Sequence, residues 1–219
     1  MTRYLLGNHH SGAGATAFWL PSCQIRNGFT VTAQKKIPGG LEITGEKRML
    51  DRDNPDLAGL VIRQNIKLTE SLRKIAVATT LVNDSDRDLT FGVRYNLIPA
   101  PPGAQGGFTR LTVDGRTLDF KRDFSRKLFS TGIDEQYETA VRKLFSVKSE
   151  TCRMDAAPVF FCKPGVKVKL DLEPRAALAG AAVWDSGRQA AGSFEPCFKL
   201  TKLGPGGDSF VLSSTLSIE

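Results

Sequence analysis

The stretch Lys74–Pro99, KIAVATTLVNDSDRDLTFGVRYNLIP, decides the fold. Ile75, Val77, Thr79 and Leu81 share one face of a strand of period two, and Ala76, Ala78, Thr80 and Val82 share the other. Neither face is charged, which predicts a strand buried largely on both sides. Residues Asn83 to Asp88 are rich in Asn, Asp and Ser, whose side chains bond their own backbone in turns. Beyond them Leu89, Phe91, Val93 and Tyr95 alternate with Thr90, Gly92, Arg94 and Asn96, giving one apolar and one polar face. The two runs read as the central hairpin of an all-β protein.

Short strands continue on either side. FTVTAQ (29–34) alternates, Pro38-Gly39-Gly40 marks a turn before LEIT, and 57–68 reads as a longer strand with Ile62, Gln64, Ile66 and Leu68 on one side. DRDNPD (51–56) is a loop, and PAPPGAQGG (99–107) is a longer one, since its prolines remove donors and fix φ. FTRLTV and RTLDFKRDF, joined by Asp114-Gly115, predict a hairpin with a type I′ turn. Residues 133–145 have helical spacing at Ile133, Tyr137, Val141, Leu144 and Phe145, but equally fit loop and strand. GVKVKLDLEP alternates strictly, and Phe210, Leu212, Leu216 and Ile218 share a face of a closing strand. Two packed antiparallel sheets are the economical solution, a large β-sandwich with at most one or two short helices. All 219 residues fit a single such domain, with 1–24 as a peripheral segment.

Composition narrows the function. With 41% hydrophobic and 24% charged residues the chain is ordinary for a globular protein. No apolar run approaches the roughly 20 residues of a membrane helix, and Met1–Leu6 shows no secretory pattern. The net charge of +7 is spread along the chain and interleaved with acids, and no nucleic-acid motif accompanies it. Neither nucleic acid nor membrane is therefore an expected partner. Cys23, Cys152, Cys162 and Cys197 form no C-x-x-C pair, which argues for reduced thiols in a cytoplasmic protein and against a structural metal. His9 and His10, the only histidines, are adjacent and would point to opposite faces of a strand. Asp84, Asp86 and Asp88 lack the glycine and glutamate that an EF-hand loop would need at Leu89 and Tyr95. No metal or cofactor is expected.

Two segments resemble a known family. LVNDSDRDLTFGVRYNLIP is similar to the part of galactose-mutarotase-like proteins in which N-x-S precedes a strand ending in an aromatic and Asn-Leu. FEPCFKLTKLGPGGDSFVLSSTLSIE is similar to their ending, a Glu-Pro, a short loop and an L-x-P-G before the last strand. The resemblance covers roughly residues 57–219 and implies the supersandwich fold, which also serves as a β-domain in glycoside hydrolases such as the family 57 type. It implies sugar chemistry, a carbohydrate partner and, in an accessory role, a catalytic domain of the same parent protein.

Sugar mutarotation needs a general base for the anomeric hydroxyl and an acid for the ring oxygen. By resemblance Glu195 stands at the family's base. Arg94 stands near the family's acidic histidine, and arginine releases no proton at neutral pH. Arg94, Tyr95 and Asn96 are the expected sugar-contacting cluster, with Arg and Asn donating to hydroxyls and Tyr stacking. Trp19 and Trp184 are each a stacking platform or a core residue. Glycoside hydrolysis would need a carboxylate pair, for which Glu195 and Asp185 can be named. The expectation is a non-catalytic, carbohydrate-associated sandwich. An aldose 1-epimerase-like enzyme using Glu195 and a structural or protein-interaction module are the alternatives.

Overall fold

The computed structural model describes residues 13–25, 29–69, 73–97, 108–113, 115–119, 127–130, 148–151, 157–162, 165–184 and 193–219. Among them are seventeen strands, two 3-10 turns (Pro55–Leu57 and Arg175–Ala177) and no α-helix. The strands run β1 (Ala13–Leu20), β2 (Cys23–Gln24), β3 (Thr30–Ile37), β4 (Gly40–Arg48), β5 (Leu60–Thr69), β6 (Lys74–Asn83), β7 (Leu89–Leu97), β8 (Phe108–Val113) and β9 (Arg116–Asp119). They continue as β10 (Lys127–Ser130), β11 (Lys148–Thr151), β12 (Val159–Cys162), β13 (Val166–Glu173), β14 (Leu178–Trp184), β15 (Ser193–Phe198), β16 (Thr201–Leu203) and β17 (Ser209–Ile218).

They form two sheets. One has eight strands in the order β11-β10-β14-β15-β7-β1-β2, with β16 also pairing β7. The other has nine, in the order β3-β4-β5-β6-β17-β13-β12-β8-β9. Every pairing is antiparallel except β10 with β11. The expected all-β sandwich is therefore the fold.

The core fills the gap between the sheets. Phe18, Phe91, Val93 and Leu97 face inward from the first sheet, and Ile62, Leu81, Leu170 and Leu212 from the second. Burying each such side chain contributes about 1.5–3 kcal/mol. Phe160 on β12 and Phe194 on β15 meet edge to face across the gap, their centroids 5.2 Å apart.

Two readings of Lys74–Pro99 need correction. The stretch is not a hairpin: β6 lies between β5 and β17 in one sheet, and β7 lies between β15 and β1 in the other. Each strand has a strongly apolar face, and crossing between sheets lets those faces bury against each other. Nor is β6 buried on both sides. Val77, Thr79, Leu81 and Asn83 are buried, but Ala78 is exposed and Ala76, Thr80 and Val82 are half-buried. Small, uncharged side chains mark an open sheet face here, not a second core.

The crossing is organised by Asn83, which is fully buried. Its Nδ2 donates to the carbonyls of Arg87 at 2.7 Å, Gly204 at 2.9 Å and Leu203 at 3.1 Å. Its Oδ1 accepts from Ser85 N at 3.0 Å and Ser85 Oγ at 2.6 Å. Its backbone meets Asp208 O and Gly207 N at 2.9 and 2.8 Å. The N-x-S turn and the L-x-P-G loop, far apart in sequence, thus form one corner.

Other expectations held. Val113 pairs with Arg116 in the β8–β9 hairpin, and Gly115 has the positive φ of 68° that a tight turn favours. β13 and β17 lie where the alternation put them, and Ile62, Gln64, Ile66 and Leu68 are buried together on β5. Residues 13–24 are not peripheral. β1 pairs along β7 and buries Phe18 in the core and Trp19 on the opposite side of the sheet. Cys23, Cys162 and Cys197 are buried, and burial pushes the Cys162 thiol up to about 11. His9, His10, Cys152, the loop 99–107, the candidate helix 133–145 and Asp185 lie outside the described residues. Among the described residues no helix is long and apolar enough to cross a membrane.

Candidate functional site

The two sheets differ on their outward faces. On the nine-stranded sheet outward positions such as Arg63, Lys67, Ala78 and Val211 are exposed. On the eight-stranded sheet Ala17, Trp19, Gly92, Arg94, Glu195 and Cys197 also turn away from the core, yet all are buried. The outward row is thus buried at these positions, and among the described residues Arg94 and Glu195 form a charged pair in it.

Register explains how the pair forms. Arg94 pairs with Ala17 on one side and Cys197 on the other, while Phe194 pairs with Leu97. Glu195 therefore stands opposite Asn96, one diagonal step from Arg94, within reach of a long side chain. Arg94 Nη1 lies 2.9 Å from Glu195 Oε2, and each residue is 7% exposed. Such a charge-assisted bond is strong, and removing one partner would strand the other's charge. Arginine stays charged, so the pair offers guanidinium donors and carboxylate acceptors but no proton from Arg94.

The neighbourhood of the pair is shaped by Trp19. Its Nε1 donates to Phe198 O at 2.8 Å, which lays the indole across β7 at Gly92. A Cβ on residue 92 would sit 2.1 Å from Trp19 Cε2, so only glycine fits beneath the ring. Trp19 is 1% exposed and is thus a wall, not a stacking platform. Cys197 Sγ donates to Glu195 O at 3.5 Å.

The expected trio of Arg94, Tyr95 and Asn96 is divided by the strand itself. Adjacent residues point to opposite faces, so Tyr95 enters the core. It is fully buried, edge to face with Phe198 at 5.5 Å, and burial pushes its phenol well above the ordinary value. It offers no ring face to a ligand. Asn96 pairs with Ala15 and shares the Arg94 face by register. Trp184 pairs with Ser193 on β14, two positions along from Ala182, which pairs with Glu195. The structure thus brings Arg94 and Glu195 together, with positions 96 and 184 on the same face. Among the described residues no group of three or more His, Cys, Asp or Glu could hold a metal ion.

Sequence reasoning missed the buried polar side chains on the inward sides of β1, β5 and β6, namely Thr16, Gln64 and Thr79. The signal was available: Gln64 is the one amide in the otherwise apolar face of β5.

Solved structures of similar fold are found by comparison. A galactose mutarotase-like protein from Clostridium acetobutylicum superposes with a TM-score of 0.53 and 14% identity, over 87% of this chain and 66% of that one. The Slr1438 protein from Synechocystis sp. PCC 6803 gives 0.50 and 8%, over 88% and 66%. The GH36 alpha-galactosidase AgaB from Geobacillus stearothermophilus gives 0.50 and 10%, over 95% of this chain but 30% of the enzyme. This chain spans just under two thirds of the first two proteins. No family model and no curated protein matches the sequence. At these identities the likeness is one of fold, and the fold is the galactose-mutarotase-like sandwich.

Proposed function

We propose that this chain is a carbohydrate-binding sandwich that holds its ligand without turning it over, as an accessory part of a glycan-processing protein. Arg94 and Glu195 are the ligand-facing pair, with Asn96 and Trp184 on the same sheet face. The observation that supports this most is the buried Arg94–Glu195 pair on the outward side of a mutarotase-like sheet. Saccharide hydroxyls are both donors and acceptors, and a guanidinium beside a carboxylate matches them on both counts. The same pair argues against ring opening there, because a residue that keeps its proton cannot serve as the acid.

Calorimetric titration against a panel of mono- and oligosaccharides tests the reading. The wild-type chain is expected to bind at least one, and Glu195→Gln, which keeps a neutral bond to Arg94, to weaken it at least about tenfold. A folded protein that binds none of the panel would overturn the binding reading. Accelerated anomer exchange by the wild type, abolished in Glu195→Gln, would instead establish the epimerase alternative.

A further inference from the structure

On the side of β7 turned away from Arg94, a group of polar side chains lies between the sheets, and two of its hydroxyls have no hydrogen-bond partner among the described residues. Thr16 and Tyr95 are register partners in one sheet, and Gln64 and Thr79 are register partners in the other. Gln64 Nε2 donates to Thr16 Oγ1 at 2.9 Å and to Thr79 Oγ1 at 3.3 Å, joining the sheets through the core. Each threonine hydroxyl is thereby an acceptor whose own proton still has to be placed. Tyr95 Oη lies beside Thr79, yet among the described residues no atom meets it in hydrogen-bonding geometry. Ser214 Oγ on β17, one diagonal step from Thr79, is in the same position. All five residues are at most 3% exposed.

Phenylalanine, valine and alanine would fill these places without a polar demand. A dry cluster of unmatched hydroxyls would consume a large share of a domain's marginal stability. Buried water commonly settles such a deficit, given two to four polar partners. We propose that the seam between the sheets is a hydration site, in which an ordered internal water accepts the protons of Tyr95 and Thr79 and links them to the opposite sheet. The site pins the inner side of β7, the strand whose outer side presents Arg94.

Tyr95→Phe removes only the hydroxyl and so reads the sign directly. A bridging partner lost from a hydrated seam lowers the melting temperature by several degrees. An unmatched hydroxyl removed from a dry seam leaves it unchanged or raises it, and either of those results overturns the proposal. Oxygen-17 relaxation dispersion on the wild-type protein gives a second readout, independent of how the variant folds. It should detect a long-lived internal water that Thr79→Val and Tyr95→Phe each remove. A wild-type protein with no such water would also end the proposal.

Discussion

Replacing Asn83 should damage this protein more than replacing any residue of the candidate site. The alanine variant deletes five side-chain hydrogen bonds at once. It leaves the carbonyls of Arg87, Leu203 and Gly204, and the amide of Ser85, to find other partners. A net hydrogen bond is worth about 1 kcal/mol, and a stranded buried group costs about 1–3 kcal/mol. Arg87 is exposed and Gly204 half-buried, so water can reach part of the gap. The expected loss for Asn83→Ala is about 3–5 kcal/mol, or about 6–20 °C in melting temperature for a domain of this size.

Asn83→Asp separates hydrogen bonding from size. It is nearly isosteric but aims an acceptor at three carbonyl oxygens, so at pH 7 it should be worse than Asn83→Ala by about 2 kcal/mol or more. The introduced carboxyl is disfavoured as an anion there, which raises its folded-state pKa above the unfolded value. Its stability is then fully present below the unfolded pKa and is lost as pH rises through the folded one. The gap between the two variants should accordingly widen from pH 4 to pH 8. Urea unfolding followed by tryptophan fluorescence measures both. An alanine variant within about 1 kcal/mol of wild type, or an aspartate variant no worse than alanine at neutral pH, would refute the reasoning.

Two further perturbations probe the site's supports. Gly92→Ala drives a methyl into a ring held by Phe198 O, and overpacking with loss of that bond should cost about 3 kcal/mol and shift tryptophan emission to the red; unchanged emission would mean that the ring lies elsewhere. Burial pushes Asp53 up, but bonds from Leu50 N and Lys47 Nζ, each at 3.1 Å, outweigh it and hold the carboxyl below its ordinary value. Stability from Asp53 is therefore present at neutral pH and lost as pH falls through the lowered folded value. Asp53→Asn should melt a few degrees below wild type at pH 7 and level with it near the acid end of the carboxylate range; a pH-independent gap would contradict this.

The sandwich was legible because alternation survives in nearly every strand. Ile62-x-Gln64-x-Ile66 and Val168-x-Leu170-x-Leu172 each show their inward row directly. The hairpin reading failed for a physical reason. A polar turn between two strands says that the chain reverses, but not whether the reversal stays in one sheet. Long-range partners settle that, and here the partners of Asn83 lie about 120 residues on, at Leu203 and Gly204. The ion pair was half legible: Arg94 and Glu195 stood out singly, but their meeting depends on the β7–β15 register, to which no local pattern points.

Parts of the two segments that carried the family resemblance, the N-x-S and the L-x-P-G, meet each other. Asn83 and Ser85 of N-x-S bond to Leu203, Gly204 and Gly206 of the closing loop, and no charged site residue takes part. These two motifs mark where this chain passes from one sheet to the other. On β7 successive residues serve different ends. Val93 and Tyr95 face the core and the polar seam, and Gly92 and Arg94 face the opposite side of the sheet. Position 94 is therefore separate from both the core row and the Asn83 corner. A fold shared at 14% identity or less thus says how the chain is arranged and leaves the residues of this outward row to be read on their own.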